Sequence, residues 1–298
     1  MSKRVIITGG LGQLGWELQR TKPSHWEVWI TDIDEMDITQ PESVAKAFQD
    51  FKPHLVINAA AYTAVDKAED DVEMAFRVNR DGVINIAREA RVGQCRIIHI
   101  STDFVFDGFS GVPYSPDDTP NPIGVYAKSK LAGENALMEV YPEGSLIVRT
   151  AWLYSAHGNN FVKTMLRLFQ SQQVVRVVSD QVGTPTWAFN LARFLWFLAD
   201  CNFVLLDHRR YHFTDAGVAS WYDFAVAIEE ETRSWRNHTV EVMPIFSKDY
   251  PTKATRPHFS VLNKEVAWKL WNEKPQHWRK ALRCMLQELD NSKDSQAV

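Results

Sequence analysis

Tyr126 and Lys130 are the residues whose types and spacing most directly suggest acid–base chemistry. On an α-helix, residues four apart lie on one face, so the phenol and the ammonium group would be neighbours. A phenol titrates near pH ~10 and is a poor acid–base group at neutral pH unless a cation stabilises its phenolate; lowering its pKa by about three units requires roughly 4 kcal/mol. An exposed Tyr–Lys pair without a function has the same spacing, so the pair alone leaves both interpretations open.

A glycine-rich segment, Thr8 to Gly15, places Gly9, Gly12 and Gly15 in a GxxGxxG pattern between an apolar run and a helical pattern. Glycines let the backbone turn sharply and approach a pyrophosphate, whose charge then meets a helix N-terminus. Asp32 follows about 20 residues later, where a carboxylate would hold a ribose hydroxyl. The context predicts a dinucleotide-binding loop; the alternative is a plain strand–turn–helix connection.

Asp32 also bears on which dinucleotide is bound. A carboxylate there favours a free ribose hydroxyl, whereas a ribose phosphate would favour an Arg. Residues 31–37 contain four acidic residues and no basic one. Chemistry alone therefore favours NADH over NADPH.

Ser101 and Thr102 end a further apolar segment, Ile98 to Thr102. Ligands of open α/β sheets bind beyond the carboxyl ends of the strands, so these hydroxyls are placed to hydrogen-bond a carbonyl oxygen near the phenol. The alternative is that a strand-end hydroxyl merely caps a loop.

The elements that would position these groups alternate between strands and helices in the first half. Four strands are predicted, at 5–8, 27–32, 55–58 and 96–101, and residues 39–42 predict a capping box for the second helix. Asn79 interrupts an apolar helical stripe, either as a buried amide satisfied by backbone groups or as a brace for a loop beside the active site. Such alternation indicates a parallel sheet covered on both faces.

The fold class is therefore α/β, a Rossmann-type doubly wound parallel sheet with a smaller α/β substrate domain. The predicted boundaries are 1–150 for the dinucleotide-binding domain and 151–298 for the smaller one, with part of the latter, about 174–200, returning to the first.

Composition excludes several other classes of protein. The chain has 298 residues and a net charge of −4, which argues against a duplex-binding protein. Its three scattered cysteines indicate reduced thiols, and neither a signal peptide nor a membrane span is expected. We expect a cytoplasmic protein without a membrane or nucleic-acid partner.

Together these motifs resemble the extended short-chain dehydrogenase/reductases, and among them the sugar-nucleotide reductases. The resemblance extends to about Asn263 and is specific as a set. It is carried by the following segments: Asn58–Glu69, Ser101–Phe106, Tyr126–Glu134, Arg149–Trp152, Gly158–Phe161, Asp180–Thr186 and Arg256–Pro257.

The resemblance implies reduction of the C4 ketone of dTDP-4-dehydro-L-rhamnose to dTDP-L-rhamnose, the last step of dTDP-L-rhamnose biosynthesis. It implies NADPH or NADH as cofactor, which weakens the preference for NADH. Tyr126 would donate the proton, Lys130 would lower the pKa of Tyr126 and hold the nicotinamide ribose, and Thr102 would polarise the ketone.

The resemblance further implies binding roles. Asp103 and Trp152, with Thr102, would contact the sugar nucleotide. The residues implied to bind the cofactor are Gly9, Gly12, Gln13, Leu14, Gly15, Asp32, Asp37, Ile38, Ala61, Tyr62, Thr63, Tyr126 and Lys130.

The chain departs from the family pattern at one point. Some members form metal-bridged dimers through acidic residues near the start of the helix after Thr186, and the segment 187–193 contains no acid. Glu17 alone cannot make such a site, so we expect a monomer or homodimer without a metal bridge. His208 and His212 are four apart, but the segment 210–213 is predicted as a strand, on which they do not converge, so no metal is expected.

Two other functions use the same scaffold. A sugar-nucleotide dehydratase or epimerase returns the hydride to its substrate, but the dehydratases that this chain resembles carry Asp and Glu after the Thr, where this chain has Asp103 and Phe104. A non-catalytic regulatory subunit, such as the methionine adenosyltransferase beta subunit, is the third hypothesis. Thr102, Tyr126 and Lys130 weigh against it without excluding it, because fold does not fix function.

Overall fold

A six-stranded parallel sheet forms the centre of the protein. The computed structural model describes residues 3–273 and 276–294. The strands run in the spatial order β10-β5-β4-β3-β1-β2, and every neighbouring pair is parallel. These strands are β1 (Lys3–Thr8), β2 (Trp26–Ile30), β3 (Leu55–Asn58), β4 (Arg96–Thr102), β5 (Ser145–Thr150) and β10 (Arg210–His212).

Helices cover both faces of this sheet, as the predicted doubly wound fold requires. One face packs against α1 and α8, and the other against α2, α5 and α6, each over a continuous apolar core. The helices are α1 (Gln13–Arg20), α2 (Pro41–Phe51), α3 (Val65–Ala68), α4 (Val72–Phe76), α5 (Gly82–Val92), α6 (Val125–Val140), α7 (Phe161–Ser171), α8 (Ala188–Asp200), α9 (Trp221–Thr232), α10 (Glu265–Trp271) and α11 (Trp278–Asp294).

A second group of elements packs around its own core. Within it β7 (Val174–Val178) pairs with β12 (Glu241–Ile245), β8 (Val182–Gly183) with β11 (Ala219–Ser220), and β6 (Leu153–Tyr154) with β9 (Thr186–Trp187). These strands and α7, α9 and α11 enclose residues such as Phe169 and Phe224. The chain returns to the first sheet through α8 and β10, whereas β7 does not. The division into domains at residue 150 stays a prediction.

The predicted capping box at the start of α2 is wrong. The N-cap of α2 is Gln40, with no side-chain hydrogen bond, and Pro41 occupies the first turn. Proline is suited to that position because its missing N–H is not needed and its φ is already helical. Thr39 lies outside the helix, so its hydroxyl is out of register for capping.

The structure bears on two further expectations, which concern membrane spans and the cysteines. Among residues 3–273 and 276–294, no helix has the length and apolarity that a membrane crossing requires. Cys95, Cys201 and Cys284 are free thiols.

Candidate active site

A cleft of about 920 Å³ opens at the carboxyl ends of the central strands. It lies where β1 has β3 on one side and β2 on the other, so that the chain winds away in both directions. This is the switch point at which open α/β sheets bind ligands. Of the residues predicted for the site, those lining the cleft are Gly9, Gly12, Gln13, Leu14, Gly15, Asp32, Asp37, Ile38, Ala61, Thr63, Thr102, Asp103, Tyr126, Lys130 and Trp152.

Tyr62 is the predicted cofactor residue that is not part of this lining. Its phenol donates to Asp71 over 3.2 Å, and its main chain is held by the side chain of Asn79. Its neighbours Ala61 and Thr63 do face the cleft. Tyr62 therefore anchors the segment between β3 and α3, and its own side chain does not line the cleft.

The glycine loop has the close backbone packing that its sequence predicts. Gly9 has a φ of +66°, and a Cβ there would lie 2.8 Å from the carbonyl oxygen of Ala59. A Cβ on Gly15 would lie 2.4 Å from the oxygen of Gly9. Gly12 is the N-cap of α1 and provides no side-chain cap, so the positive end of the helix faces the cleft. This cradle fits a dinucleotide pyrophosphate.

Asp32 supports the glycine loop directly. One carboxylate oxygen accepts from the N–H of Leu11 over 3.0 Å, and the other accepts from the N–H of Ile33. The structure also brings Arg77 to the lining of the cleft, although it is distant in sequence from the acidic run 31–37. The local argument for NADH missed this cation, because only the folded chain brings it to the cleft.

The carboxyl ends of β4 and β5 supply hydroxyls to the cleft. Ser101 Oγ and Thr150 Oγ1 are buried there without a hydrogen-bond partner in the part of the chain that is described. Thr102 donates to Asp103 over 3.0 Å and accepts from the N–H of Phe104. Because buried polar atoms are rarely unpaired, the two free hydroxyls indicate a polar ligand at this point. Sequence reasoning did not identify Thr150.

Tyr126 lies in the first turn of α6, which begins beyond Gly124. Burial raises the pKa of Tyr126 to about 12, while the contacting Thr102 hydroxyl lowers it and the Asp103 carboxylate raises it. Burial likewise raises the pKa of Asp103 to about 6. The phenol is therefore protonated at neutral pH, as a proton donor must be. The lowering of its pKa by Lys130 stays a prediction for the cofactor-bound state.

Lys130 follows Tyr126 on α6 and is buried in the lining of the cleft. Its ammonium group donates to the main-chain oxygen of Ile100 over 2.7 Å and lies 3.4 Å from Nε2 of His99. Burial lowers the pKa of Lys130 to about 8, against the opposing effect of Glu134. That carboxylate is itself held by two hydrogen bonds from Arg149. The ammonium group is thus fixed by backbone and side-chain partners.

Asn79 combines the two roles that its position in the sequence allows. It lies in a π-helical turn (Arg77–Asp81), accepts from the N–H of Tyr62 and donates to the Tyr62 oxygen and to Ser129 Oγ. Ser129 Oγ in turn donates to the Tyr126 carbonyl. Gly133 allows α6 to pack closely against this turn, because a Cβ there would lie 2.0 Å from the main-chain oxygen of Asn79. Asn79 is satisfied by backbone groups and also braces both sides of the cleft.

Trp152 is held in a strained conformation. Its φ is +47°, a region that costs a non-glycine residue about 1–2 kcal/mol. Its ring stacks on Trp221 with a centroid separation of 3.5 Å, and a Cβ on Gly183 would lie 2.7 Å from it. The indole is therefore fixed at the edge of the cleft, where its motif predicted a ligand contact.

A short segment, residues 155–160, connects the second group of elements to the glycine loop; we call it the strap. His157 Nε2 lies 3.1 Å from the Leu11 oxygen, and its ring stacks on Trp16 at 5.3 Å. Asn160 donates to the side chain of Gln13 over 2.9 Å. The motif was visible in the sequence, but nothing local indicated that it would reach this loop.

The acidic residue considered for a metal bridge is neutralised by a neighbouring cation. Glu17 is fully buried, pairs with Arg20 and accepts from Ser155 over 2.7 Å, and Arg20 also binds Glu288 at 2.9 Å. Within residues 3–273 and 276–294, no group of three His, Cys, Asp or Glu side chains could hold a metal ion. His212 lies on β10, as its predicted strand requires.

The fold and the cleft together define a Rossmann-type oxidoreductase of the kind that includes nicotinamide-dependent reductases and epimerases. The family model described as "RmlD substrate binding domain" matches residues 3–291. The chain belongs to this family.

Several similar proteins carry one name. The dTDP-4-dehydrorhamnose reductase of Aggregatibacter actinomycetemcomitans is 40% identical over 286 residues, covering 94% of this chain and 97% of that protein. The crystal structure of a dTDP-4-dehydrorhamnose reductase from Clostridium acetobutylicum has a TM-score of 0.90 at 40% identity, over 96% and 99% of the two chains. The Bacillus anthracis enzyme of that name, in complex with NADP, has a TM-score of 0.89 at 35% identity, over 97% of this chain and 100% of that one.

Proposed function

We propose that this protein reduces the C4 ketone of dTDP-4-dehydro-L-rhamnose to dTDP-L-rhamnose with NADPH or NADH, in the cytoplasm, as the last step of dTDP-L-rhamnose biosynthesis. The observation that carries the proposal is the protonated Tyr126 phenol beside Thr102, in the same cleft as the glycine loop. The names of the relatives support the substrate. The division at residue 150 into a dinucleotide-binding part and a substrate part belongs to the same proposal.

The side chains divide the reaction between them. Gly12, Gln13 and Leu14 bind the pyrophosphate of the dinucleotide. When bound, the reduced nicotinamide of this cofactor would supply the hydride to C4. Thr102 polarises the ketone oxygen and Tyr126 donates the proton that this oxygen takes up. A general acid of this kind contributes about 10²–10⁴-fold to the rate.

Four further side chains position the cofactor and the sugar nucleotide. The ammonium of Lys130 holds the nicotinamide ribose. Asp103 and the fixed indole of Trp152 bind the sugar nucleotide. Asp32 holds the adenosine ribose while it supports the glycine loop.

The alternative of a dehydratase is disfavoured by Phe104. A 4,6-dehydratase must remove a proton from C5 and protonate the leaving C6 hydroxyl, so it needs two acid–base groups beside the Thr. The ring of Phe104 meets Tyr126 edge-on at a centroid distance of 6.0 Å, and it can neither donate nor accept a proton. One of the two catalysts required for elimination is therefore missing.

The decisive experiment supplies purified protein with dTDP-4-dehydro-L-rhamnose and NADPH or NADH. We expect one equivalent of reduced cofactor to be consumed per sugar reduced, with dTDP-L-rhamnose as product. Other 4-ketosugar nucleotides serve as controls for substrate choice. Conversion of dTDP-glucose to a 4-keto-6-deoxy sugar without net oxidation of added cofactor would replace the reductase with a dehydratase. Binding of both ligands without turnover would favour the non-catalytic subunit.

A further inference from the structure

Four polar side chains form a continuous buried chain under the cleft, and the reaction proposed above uses only the last of them. The Thr8 hydroxyl donates to Asn58 Oδ1 over 2.7 Å and accepts from the N–H of Ala60, and Asn58 Nδ2 lies 3.0 Å from His99 Nδ1. His99 Nε2 then faces the Lys130 ammonium at 3.4 Å. None of the four is more than 2% exposed. They come from the adjacent strands β1, β3 and β4 and from α6, so the fold has assembled them from four separate elements.

The chemistry of the partners determines how protons are distributed along this chain. An ammonium group has donors only, so a protonated Lys130 requires a lone pair on His99 Nε2. The imidazole proton must then lie on Nδ1 and needs an acceptor. The amide oxygen of Asn58 provides it only when the amide is turned over from the orientation in the structure, in which Nδ2 faces Nδ1. The amide nitrogen then donates to Thr8 Oγ1, which also accepts from the N–H of Ala60. The two orientations of a side-chain amide are distinguished by this network of partners and not by atom positions alone.

The opposite pattern corresponds to a neutral Lys130. In the amide orientation that the structure has, the Thr8 hydroxyl donates to the Asn58 oxygen, the Asn58 amide nitrogen donates to His99 Nδ1, and the imidazole proton would lie on Nε2. That proton can be accepted only by an uncharged amine on Lys130. The two patterns differ by one proton in total, and the tautomer of His99 reports which one is present.

A charged imidazole is excluded from both patterns. Burial, together with the charge of Lys130, holds the pKa of His99 well below its ordinary value. His99 therefore stays a neutral acceptor over the pH range in which the enzyme would work.

We propose that His99 is a positioning residue for Lys130: its Nε2 accepts a hydrogen bond from the ammonium group while its own proton lies on Nδ1, opposite the side chain of Asn58. The inference rests on the proposed function, in which Lys130 acts as a cation. The other acceptor for the ammonium is the Ile100 carbonyl of the same strand. His99 is thus the side-chain acceptor of the Lys130 ammonium group.

Other charged groups around Lys130 do not replace this contact. On its own helix, Glu134 favours the protonated form but is held by Arg149 of β5. Asp103, which follows β4, and Tyr126, on α6, also line the cleft. Because the pKa of Lys130 is about 8, a change in its partners falls within a measurable pH range.

The test compares His99→Asn with His99→Gln. Glutamine reaches Lys130 with its side-chain oxygen, whereas asparagine is one methylene shorter and keeps a polar group only toward Asn58. We expect the loss of kcat at high pH to begin about half to one pH unit lower in His99→Asn, and to stay within about 0.2 units of wild type in His99→Gln. His212→Asn, in another fully buried histidine of the same sheet, should not move this limb.

Two measurements do not depend on activity. The pKa of Lys130 from the ¹³Cε shift of labelled lysine, assigned with Lys130→Arg, should fall in His99→Asn and be preserved in His99→Gln. In wild-type protein labelled at histidine nitrogens, His99 should carry its proton on Nδ1 at pH 6. This wild-type measurement tests the proposal even if neither His99 variant folds.

The outcomes separate the inference from the function on which it rests. Equal Lys130 pKa values in wild type and folded His99→Asn, or a proton on Nε2 at pH 6, would overturn the role of His99. A Lys130→Met variant with wild-type kcat would overturn the cationic role of Lys130 in the reaction, and the NMR result on His99 would stand unaffected.

Discussion

The ring of Phe104 packs edge-on against the ring of Tyr126, with an interplanar angle of 77°. An apolar ring therefore stands beside the phenol, where the dehydratases that this chain resembles carry a carboxylate. Burial raises the pKa of the Tyr126 phenol to about 12. The ring that disfavours elimination thus packs against the proposed acid.

Replacing Tyr126 by Phe should abolish turnover and leave ligand binding intact. The phenol acts in the transition state, so we expect kcat to fall by about 10²–10⁴-fold, while the dissociation constants of cofactor and dTDP-sugar change little. Steady-state kinetics and calorimetric titration measure the two effects. Tyr154→Phe is the matched control, because its buried hydroxyl has no partner among the described residues. A variant that keeps more than a tenth of kcat would show that Tyr126 is not the donor.

Asp32→Ala should weaken binding of both cofactors, and of NADH more than NADPH. Loss of the hydrogen bond to Leu11 loosens the glycine loop for either cofactor, and only NADH also loses a partner for its free ribose hydroxyl. A hydrogen bond to a charged group corresponds to about 10–100-fold in affinity. Asp34→Ala, an exposed acid of the same run, should have little effect. Equal losses for the two cofactors would remove Asp32 from the ribose site.

Asn79→Ala should reduce both stability and cofactor binding. The substitution removes the amide that binds the N–H and oxygen of Tyr62 and the hydroxyl of Ser129. Each buried group left unpaired costs about 1–3 kcal/mol of stability. Urea unfolding and the KM for cofactor measure the two effects. Asn190→Ala removes a buried amide that binds Asp215, and should lower stability alone. Similar KM changes in both variants would show that Asn79 has no particular link to the cleft.

Acid should destabilise the fold through His212. Its Nδ1 lies 3.0 Å from the Tyr114 oxygen, and burial lowers the pKa of His212 to about 3. The unfolded chain takes up a proton near pH ~6.5 that the folded chain does not. Stability is therefore lost as the pH falls from the unfolded pKa toward the folded one, by roughly 3 kcal/mol at pH ~4.5.

The variant His212→Gln tests this assignment. It should be less stable than wild type at pH 7 but lose less stability between pH 7 and pH 4.5, as measured by urea unfolding at both values. The same decrease in both proteins would assign the acid sensitivity to other groups.

The sequence was sufficient for the parts of the fold that local pattern determines. Buried strands such as Leu55–Asn58 are short apolar runs, and the glycine spacing reflects contacts within one turn. The start of α2 was misassigned, because Thr39 matched a capping pattern while Pro41 set the actual register. Local pattern cannot show which of two overlapping signals prevails.

Contacts between distant segments could not be read from spacing. Arg77 and Thr150 reach the cleft from separate elements, and His99 meets Lys130 only because β4 lies under α6. The side chain of Tyr62 belongs to a motif that faces the cleft, yet it turns toward Asp71. In each case the partner is chosen by tertiary packing, which no window of sequence contains.

The strap limits how freely the two parts of this chain could be recombined with those of a relative. Its residues His157 and Asn160 bind Leu11 and Gln13, so the loop that holds the dinucleotide is completed by a segment more than a hundred residues later in the chain. A chimera joined at residue 150 would pair a glycine loop with a foreign strap. A chimera that keeps these contacts therefore requires residues 155–160 to be transferred together with the glycine loop.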